Sequence, residues 1–142
     1  MAKVLANPTV SINGVDLTDH VSSCDIEEVA DELDVTCFTG SATPGWKETI
    51  PGMKDGTMTF EMYQDFAAGK TDATISALFG SPTPVTILVR ATNAAKSATN
   101  PEYQMSGINL EFHPVNGTVA DPLSTTVVFR NASSTGIVRA IA

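Results

Sequence analysis

The chain has 142 residues, 42% of them hydrophobic and 17% charged, so it is long enough to bury a core and too apolar to remain unfolded. It has 18 Thr, 13 Val and 8 Ile against 7 Leu, and because branching at Cβ suits a pleated sheet, this composition excludes an all-helical bundle. Sixteen acids against eight bases give a formal net charge of −8, which disfavours binding to nucleic acid or to an anionic membrane. Met1-Ala2-Lys3 leads into Asn7-Pro8-Thr9 without an apolar run, so we expect no signal peptide and folding in a cytoplasm.

Two hairpins are predicted near the start of the chain. Residues 10–17 contain Asn13-Gly14, which supplies the positive φ angles of a type I′ turn. Residues 21–38 predict a second hairpin that turns near Ala30-Asp31 and pairs Cys24 with Cys37. One face is then apolar, and it carries Cys24, Ile26, Leu33, Val35 and Cys37. In a reducing cytoplasm we expect two free, core-facing thiols, with a disulfide as the alternative.

Six acids lie between positions 25 and 34, namely Asp25, Glu27, Glu28, Asp31, Glu32 and Asp34. They lack the Asp-x-Asp-x-Asp-Gly spacing that directs oxygens at one Ca²⁺ ion. Two interpretations stay open, a solvated face and an acidic surface with a function.

Residues 39–56 predict a long loop, because they show no period of 2 or 3.6 and contain several Gly and Pro residues and the only Trp, Trp46. A loop of this length is usually functional or disordered. One short helix is predicted next, capped by Thr71 or Asp72, with Ile75, Leu78 and Phe79 on its inner face and Gly80 at its end.

The remaining strands follow from alternating apolar residues. They are predicted at 57–66 with Met58, Phe60 and Met62 inward, at 84–90 with Val85, Ile87 and Val89 inward, at 104–112 with Ile108, Leu110 and Phe112 inward, and at 124–130 and 137–141. The predicted fold is all-β, a β-sandwich or barrel with one short flanking α-helix, in a single domain over residues 1–142.

No catalytic, cofactor or metal site is predicted. Gly69-Lys70-Thr71 stands where a phosphate loop would end, but the first glycine of that motif is replaced by Gln64. His20 and His113 have no zinc-ligand spacing, and a Gly-x-Ser-x-Gly elbow is absent from the sequence. We therefore expect a protein that is not an enzyme.

Several segments, in order, carry a family resemblance: Ile12-Asn13-Gly14-Val15-Asp16-Leu17, Gly52-Met53-Lys54-Asp55-Gly56, Gln64-Asp65-Phe66-Ala67-Ala68-Gly69-Lys70-Thr71-Asp72-Ala73-Thr74, Leu78-Phe79-Gly80, Ala98-Thr99-Asn100-Pro101-Glu102-Tyr103 and Thr125-Thr126-Val127-Val128-Phe129. Together they resemble the major tail protein, or tail tube protein, of long-tailed non-contractile bacteriophages, in the version common in phages of actinobacteria.

The resemblance implies a structural virion protein that is assembled in the host bacterial cytoplasm. Its subunits would form hexameric rings that stack into a tube, and DNA would pass through the lumen during ejection without specific binding. The implied partners are further copies of the chain, a tape measure protein, and tail terminator and distal tail proteins, with no membrane and no cofactor.

Within that reading, we expect Asp25, Glu27 and Asp34 to line the channel from one face of the second hairpin, where carboxylates would repel phosphates. We expect the 39–56 loop to stack rings, through Trp46, Lys47, Met53 and Lys54. The alternatives are the tube of a contractile injection system and a stand-alone β-sandwich binding or adhesion module. The latter would need a row of exposed aromatic side chains, and only 6% of the residues are aromatic.

Overall fold

The computed structural model describes residues 4–37 and 45–142. Within them, eight strands and one helix follow in chain order: β1 (Thr9–Ile12), β2 (Val15–Asp16), β3 (Val21–Asp34), β4 (Thr49–Tyr63), α1 (Thr71–Leu78), β5 (Val85–Arg90), β6 (Glu102–Phe112), β7 (Ser124–Asn131) and β8 (Val138–Ala140). This confirms the predicted all-β class with one short helix.

The strands form an antiparallel sheet in the order β2-β1-β5-β6-β7-β4-β3, with β8 added beside β6. The first half of β6 pairs with β5 and β8, and its second half pairs with β7. One buried cluster draws side chains from both halves of the sheet and from α1: Val10, Ile12, Leu17, Met58, Phe60, Met62, Ile75, Ile87, Val89, Met105, Val127 and Phe129. The sheet therefore wraps around a single core.

The Asn-Gly hairpin is confirmed. Ile12 pairs with Val15, and Asn13 and Gly14 have φ angles of 52° and 79°. These are the left-handed values that a type I′ turn requires, and Asn and Gly reach them at little cost.

The second predicted hairpin is wrong. Residues 21–34 form one continuous strand, β3, whose partner is β4 and not a second half of the same segment. Ala30-Asp31 is thus mid-strand, because β4 offers β3 a continuous partner on both sides of it and no Gly or Asn stands there to favour a tight turn. The predicted loop is also wrong over Thr49–Gly56, which belongs to β4. Residues 39–44 of that loop lie outside the described residues.

The two cysteines therefore do not face each other across a pair of strands. Cys24 pairs with Phe60 and packs against the core, whereas Cys37 is exposed after the end of β3. Both thiols are free, as expected, but the core-facing position predicted for Cys37 is wrong.

The predicted inward residues of the strands at 57–63 and 85–90 are confirmed. The predicted strand at 124–130 and the last short strand are also confirmed, as β7 and β8. The predicted inward face of β6 is wrong at Ile108 and Leu110. Met105, Gly107 and Asn109 of this strand are buried instead. A register shift between Asn109 and Glu111 then returns Phe112 to the core side, as predicted.

Helix α1 lies where it was predicted, and it buries Ile75. The predicted cap is wrong: Lys70 holds the cap position without a side-chain hydrogen bond, and the Thr71 hydroxyl donates to the carbonyl of Tyr63 at 3.2 Å. Phe79, predicted inward, is exposed because the backbone leaves the helix there. Gly80 follows at φ 72° and confirms the predicted end.

Candidate functional site

The main departure from a compact fold is a β-hairpin arm, which we define as residues 28–37 and 45–56. Strand β4 pairs with β7 only over Thr57–Tyr63, but it pairs with β3 along nearly its whole length. Beyond the Glu28–Gly56 pair, β3 and β4 therefore have no third strand beside them in the described chain. The arm is a two-stranded ribbon that extends from the sheet.

Large apolar side chains on the arm face solvent. Trp46 is 94% exposed and Met53 is 83% exposed, and about half of the surface of Val29, Leu33 and Ile50 is also exposed. A two-stranded ribbon is marginally stable in water, and clustered exposed apolar side chains mark interaction surfaces. The arm has the properties of a surface that is completed by a partner.

Polar contacts hold the described end of the arm together. Lys47 Nζ lies 2.7 Å from Glu32 Oε1, which also accepts a hydrogen bond from the Thr49 hydroxyl at 3.4 Å. The backbone N–H of Glu48 donates to the Thr36 hydroxyl at 2.8 Å. Hydrogen bonds from the hydroxyl and N–H of Thr36 lower the pKa of Asp34. These contacts define the path of the arm although its side chains are exposed.

The base of the arm is fixed against the turn that precedes β8. A Cβ atom on Gly56 would lie 2.9 Å from the side chain of Ile137, so Ile137 occupies the space that the glycine leaves. Arg130 on β7 reaches Asp55 on the arm at 3.3 Å. These contacts anchor the arm at its base.

The predicted channel residues do not share a face. Asp25 and Glu27 pair with Thr59 and Thr57, opposite the face on which Cys24 and Ile26 meet the core. The register shift after Ala30 places one extra residue in β4 and none in β3. The side chains of β3 therefore keep alternating between the two faces, and Asp34 lies on the face opposite to that of Asp25 and Glu27. All three acids are exposed, on a strand whose outer edge no described strand covers.

The four predicted stacking residues all lie on the arm. Trp46 and Lys47 are in the connection between the strands, and Met53 and Lys54 are within β4. Trp46 does not fold back over its own sheet, since its side chain is almost fully exposed.

A second polar cluster was not predicted from the sequence, because Asp65 is distant in sequence from Asp19 and His20. The ring of His20, whose side chain is 13% exposed, lies 2.6 Å from Asp19 Oδ1 and 3.0 Å from Asp65 Oδ2. Hydrogen bonds to Asp65 and then to Asp19 raise the pKa of His20, against an opposing effect of burial. The hydrogen bond to His20 lowers the pKa of Asp19, whereas the pKa of Asp65 is lowered first by the hydrogen bond from the backbone N–H of Ala67 and then by the one to His20. This cluster joins the start of β3 to the loop after β4.

Within residues 4–37 and 45–142, no group of three or more His, Cys, Asp or Glu side chains could hold a metal ion. Over the same ranges, no helix is both long enough and apolar enough to cross a membrane. The polar clusters of the described chain are ion pairs and turns.

Comparisons with known proteins show a similarity of fold to solved structures. No family model matches the chain, and no curated protein matches it either. Among solved structures, a chain from the virion of a native gene transfer agent particle aligns with a TM-score of 0.74 and 14% identity, over 97% of this chain and 98% of that chain. A chain from the tail of an empty gene transfer agent particle with C6 symmetry aligns with a TM-score of 0.71 and 14% identity, over the same shares. The fold is therefore similar to that of these chains from gene transfer agent particles, over almost the full length of both chains.

Proposed function

We propose that this chain is a structural, non-enzymatic subunit of a bacteriophage tail tube, which assembles into rings that stack around a channel for DNA. The observation that carries the proposal is the arm, an apolar ribbon that no other part of the described chain covers. The full-length similarity to a tail with C6 symmetry supports it and favours six subunits in a ring.

The open edge of β3 supports the ring. A long unpaired edge strand invites pairing with another chain, and charged side chains are a usual protection against uncontrolled pairing. The six acids of β3 fit that role in the free subunit. In a ring, a neighbouring subunit would cover the edge, and closure of the ring would leave no edge exposed.

The acidic face supports a channel that does not bind DNA. We propose that Asp25 and Glu27 face the lumen, where carboxylates repel the phosphates of passing DNA. Asp34 lies on the other face of the strand and is a separate candidate. Reversal of Asp25 and Glu27 to Lys should slow DNA ejection from assembled particles, and unchanged ejection would refute their role.

The arm supports stacking between rings. We propose that Trp46, Lys47, Met53 and Lys54 contact the next ring, and that the tube ends on tail terminator and distal tail proteins and encloses a tape measure protein. An exposed apolar anchor that becomes buried on assembly is typical of an interface hot spot. The assembled protein would reside in the virion after assembly in the host cytoplasm.

The test is assembly of the purified variant Trp46→Ala. It should fold and remain soluble, with an unchanged melting temperature, but it should fail to sediment as tubes, because loss of a central interface Trp costs about 2 kcal/mol or more per contact. Val119→Ala is the matched control, since Val119 is 97% exposed and lies off the arm. Tubes formed by Trp46→Ala as readily as by the control would refute the stacking role.

A further inference from the structure

A cleft lies at the base of the arm, on the side of the turn before β8. It has a volume of about 320 Å³, and its walls include Glu28, Val29 and Lys54 from the arm and Thr135, Gly136 and Ile137 from the turn. Ile137 and the stem of Lys54 contribute apolar surface to the cleft, and Glu28, which is paired with Gly56 beside Ile137, contributes a carboxylate.

The wall formed by the turn is rigid before any partner binds. The Asn131 side-chain amide donates to the carbonyl of Ser133 at 2.7 Å, and the backbone N–H of Gly136 donates to the same carbonyl at 3.2 Å. The hydroxyls of Ser133 and Thr135 lie 2.8 Å apart, and the N–H of Ala132 donates to the carbonyl of Ser106 on β6. A preformed cleft spares its occupant the cost of ordering the protein.

We infer that this cleft receives Trp46 of a second copy of this chain. The inference rests on the proposed function, and it assigns the receptor for the stacking arm. Trp46 is the only Trp in the sequence and is almost fully exposed, and an aromatic anchor in a pocket is the usual centre of an interface.

The arm cannot fill its own cleft. The strands pair from Glu28–Gly56 at the base to Asp34–Thr49 near the end, six residues further along β3. At about 3.3 Å per residue this separates the end of the arm from the cleft by ~20 Å, and Trp46 lies beyond it. The occupant therefore comes from another molecule.

Polar groups on the two surfaces are complementary. Within the part of the chain that the structure describes, the indole N–H of Trp46 has no acceptor, whereas the Lys47 ammonium group beside it is held by Glu32 of its own arm. Among the acids that line the cleft, Asp55 is already engaged by Arg130, and Glu28 has no ion pair within residues 4–37 and 45–142. Glu28 can accept a hydrogen bond from the indole N–H. Because tip and cleft are different surfaces of one chain, each bound copy leaves another cleft open, and such a head-to-tail contact repeats along a stack.

The sole Trp makes the contact measurable by its own fluorescence. In the free subunit, iodide should quench Trp46 efficiently. On assembly, the emission should move to shorter wavelength and the quenching constant should fall several-fold. Thr135→Phe, which fills the cleft, should prevent this change and weaken assembly, whereas Ser134→Phe, on the exposed side of the same turn, should behave as the wild type.

A crosslink identifies the occupant. In a Cys24→Ser, Cys37→Ser background, Gly45→Cys places a thiol beside Trp46 at a glycine with open space around it, and Thr135→Cys places one in the cleft. With dissolved oxygen as the oxidant, a mixture of the two variants should form an intermolecular disulfide that neither forms alone. Tubes in which Trp46 is shielded without the crosslink would overturn the inference alone. Tubes in which Trp46 stays quenchable would overturn the inference and the stacking role of Trp46, and would leave the proposal of a tube subunit standing. A chain that never assembles would overturn both.

Discussion

Removal of the arm should leave the rest of the fold intact. Ala30 and Lys54 are directly paired, so residues 31–53 can be replaced by the Asn-Gly turn that this chain already uses between Ile12 and Val15. The buried core includes no described residue of the deleted segment. Each halving of the length of a loop lowers the entropic cost of closing it by about 0.6 kcal/mol, and shortening the connection to two residues halves its length between three and four times. The lower closure cost alone would therefore stabilise the fold by ~2 kcal/mol.

Against that gain stands the loss of exposed contacts such as the Lys47–Glu32 pair, and surface pairs contribute about 0–1 kcal/mol. We therefore expect a free energy of unfolding that is unchanged or up to ~2 kcal/mol higher, measured by urea denaturation at a concentration where the wild type is monomeric. The deletion should also abolish tubes. A loss of stability of more than about 2 kcal/mol would show that the arm belongs to the folding unit, and it would refute this reading of the structure.

Three further predictions concern the body of the protein. The carboxylates beside His20 raise its pKa, so the contribution of His20 to stability is complete below about pH 6.5 and is lost as the pH rises through the higher pKa of the folded state. The variant His20→Gln should therefore lose more free energy of unfolding at about pH 5.5 than at about pH 8.5. An equal loss at both pH values, measured by urea denaturation, would contradict this. Gly107→Ala should lower the free energy of unfolding by about 1–3 kcal/mol, because the new Cβ atom would lie 2.8 Å from a backbone carbonyl oxygen. Gly117→Ala should change it by no more than about 0.5 kcal/mol. Equal losses for the two variants would argue against the close approach at Gly107. In thiol labelling, exposed Cys37 should react at once and Cys24 slowly, since burial raises the pKa of its thiol; two fast thiols would place Cys24 outside the core.

The parts of the fold that sequence reasoning predicted are those that local chemistry determines. Asn13-Gly14 requires positive φ whatever lies around it, and β4 near Phe60 and β7 near Phe129 alternate cleanly because one face of each strand is buried. Strand β6 failed because its inward positions hold Gly107 and Asn109. A glycine fits where the backbone of β7 comes close, and Asn109 bonds two carbonyls at the register shift, so neither position carries an apolar signal.

Part of the arm was predicted as an interaction surface, but its two long paired strands were not predicted. Its strands bury neither face, so the alternation that identifies a strand is absent from Thr49–Gly56, and acids occur on both faces of β3. The cleft at its base joins β3 and β4 to a turn some eighty residues later, and no local pattern reports such a contact.

The most direct test of a tube subunit is electron microscopy of the purified chain across a range of concentrations. We expect rings of constant diameter with sixfold class averages, stacked into tubes at the higher concentrations, and separate subunits when the arm is deleted. A wild-type chain that stays monomeric at every concentration, or that forms only irregular aggregates, would contradict it.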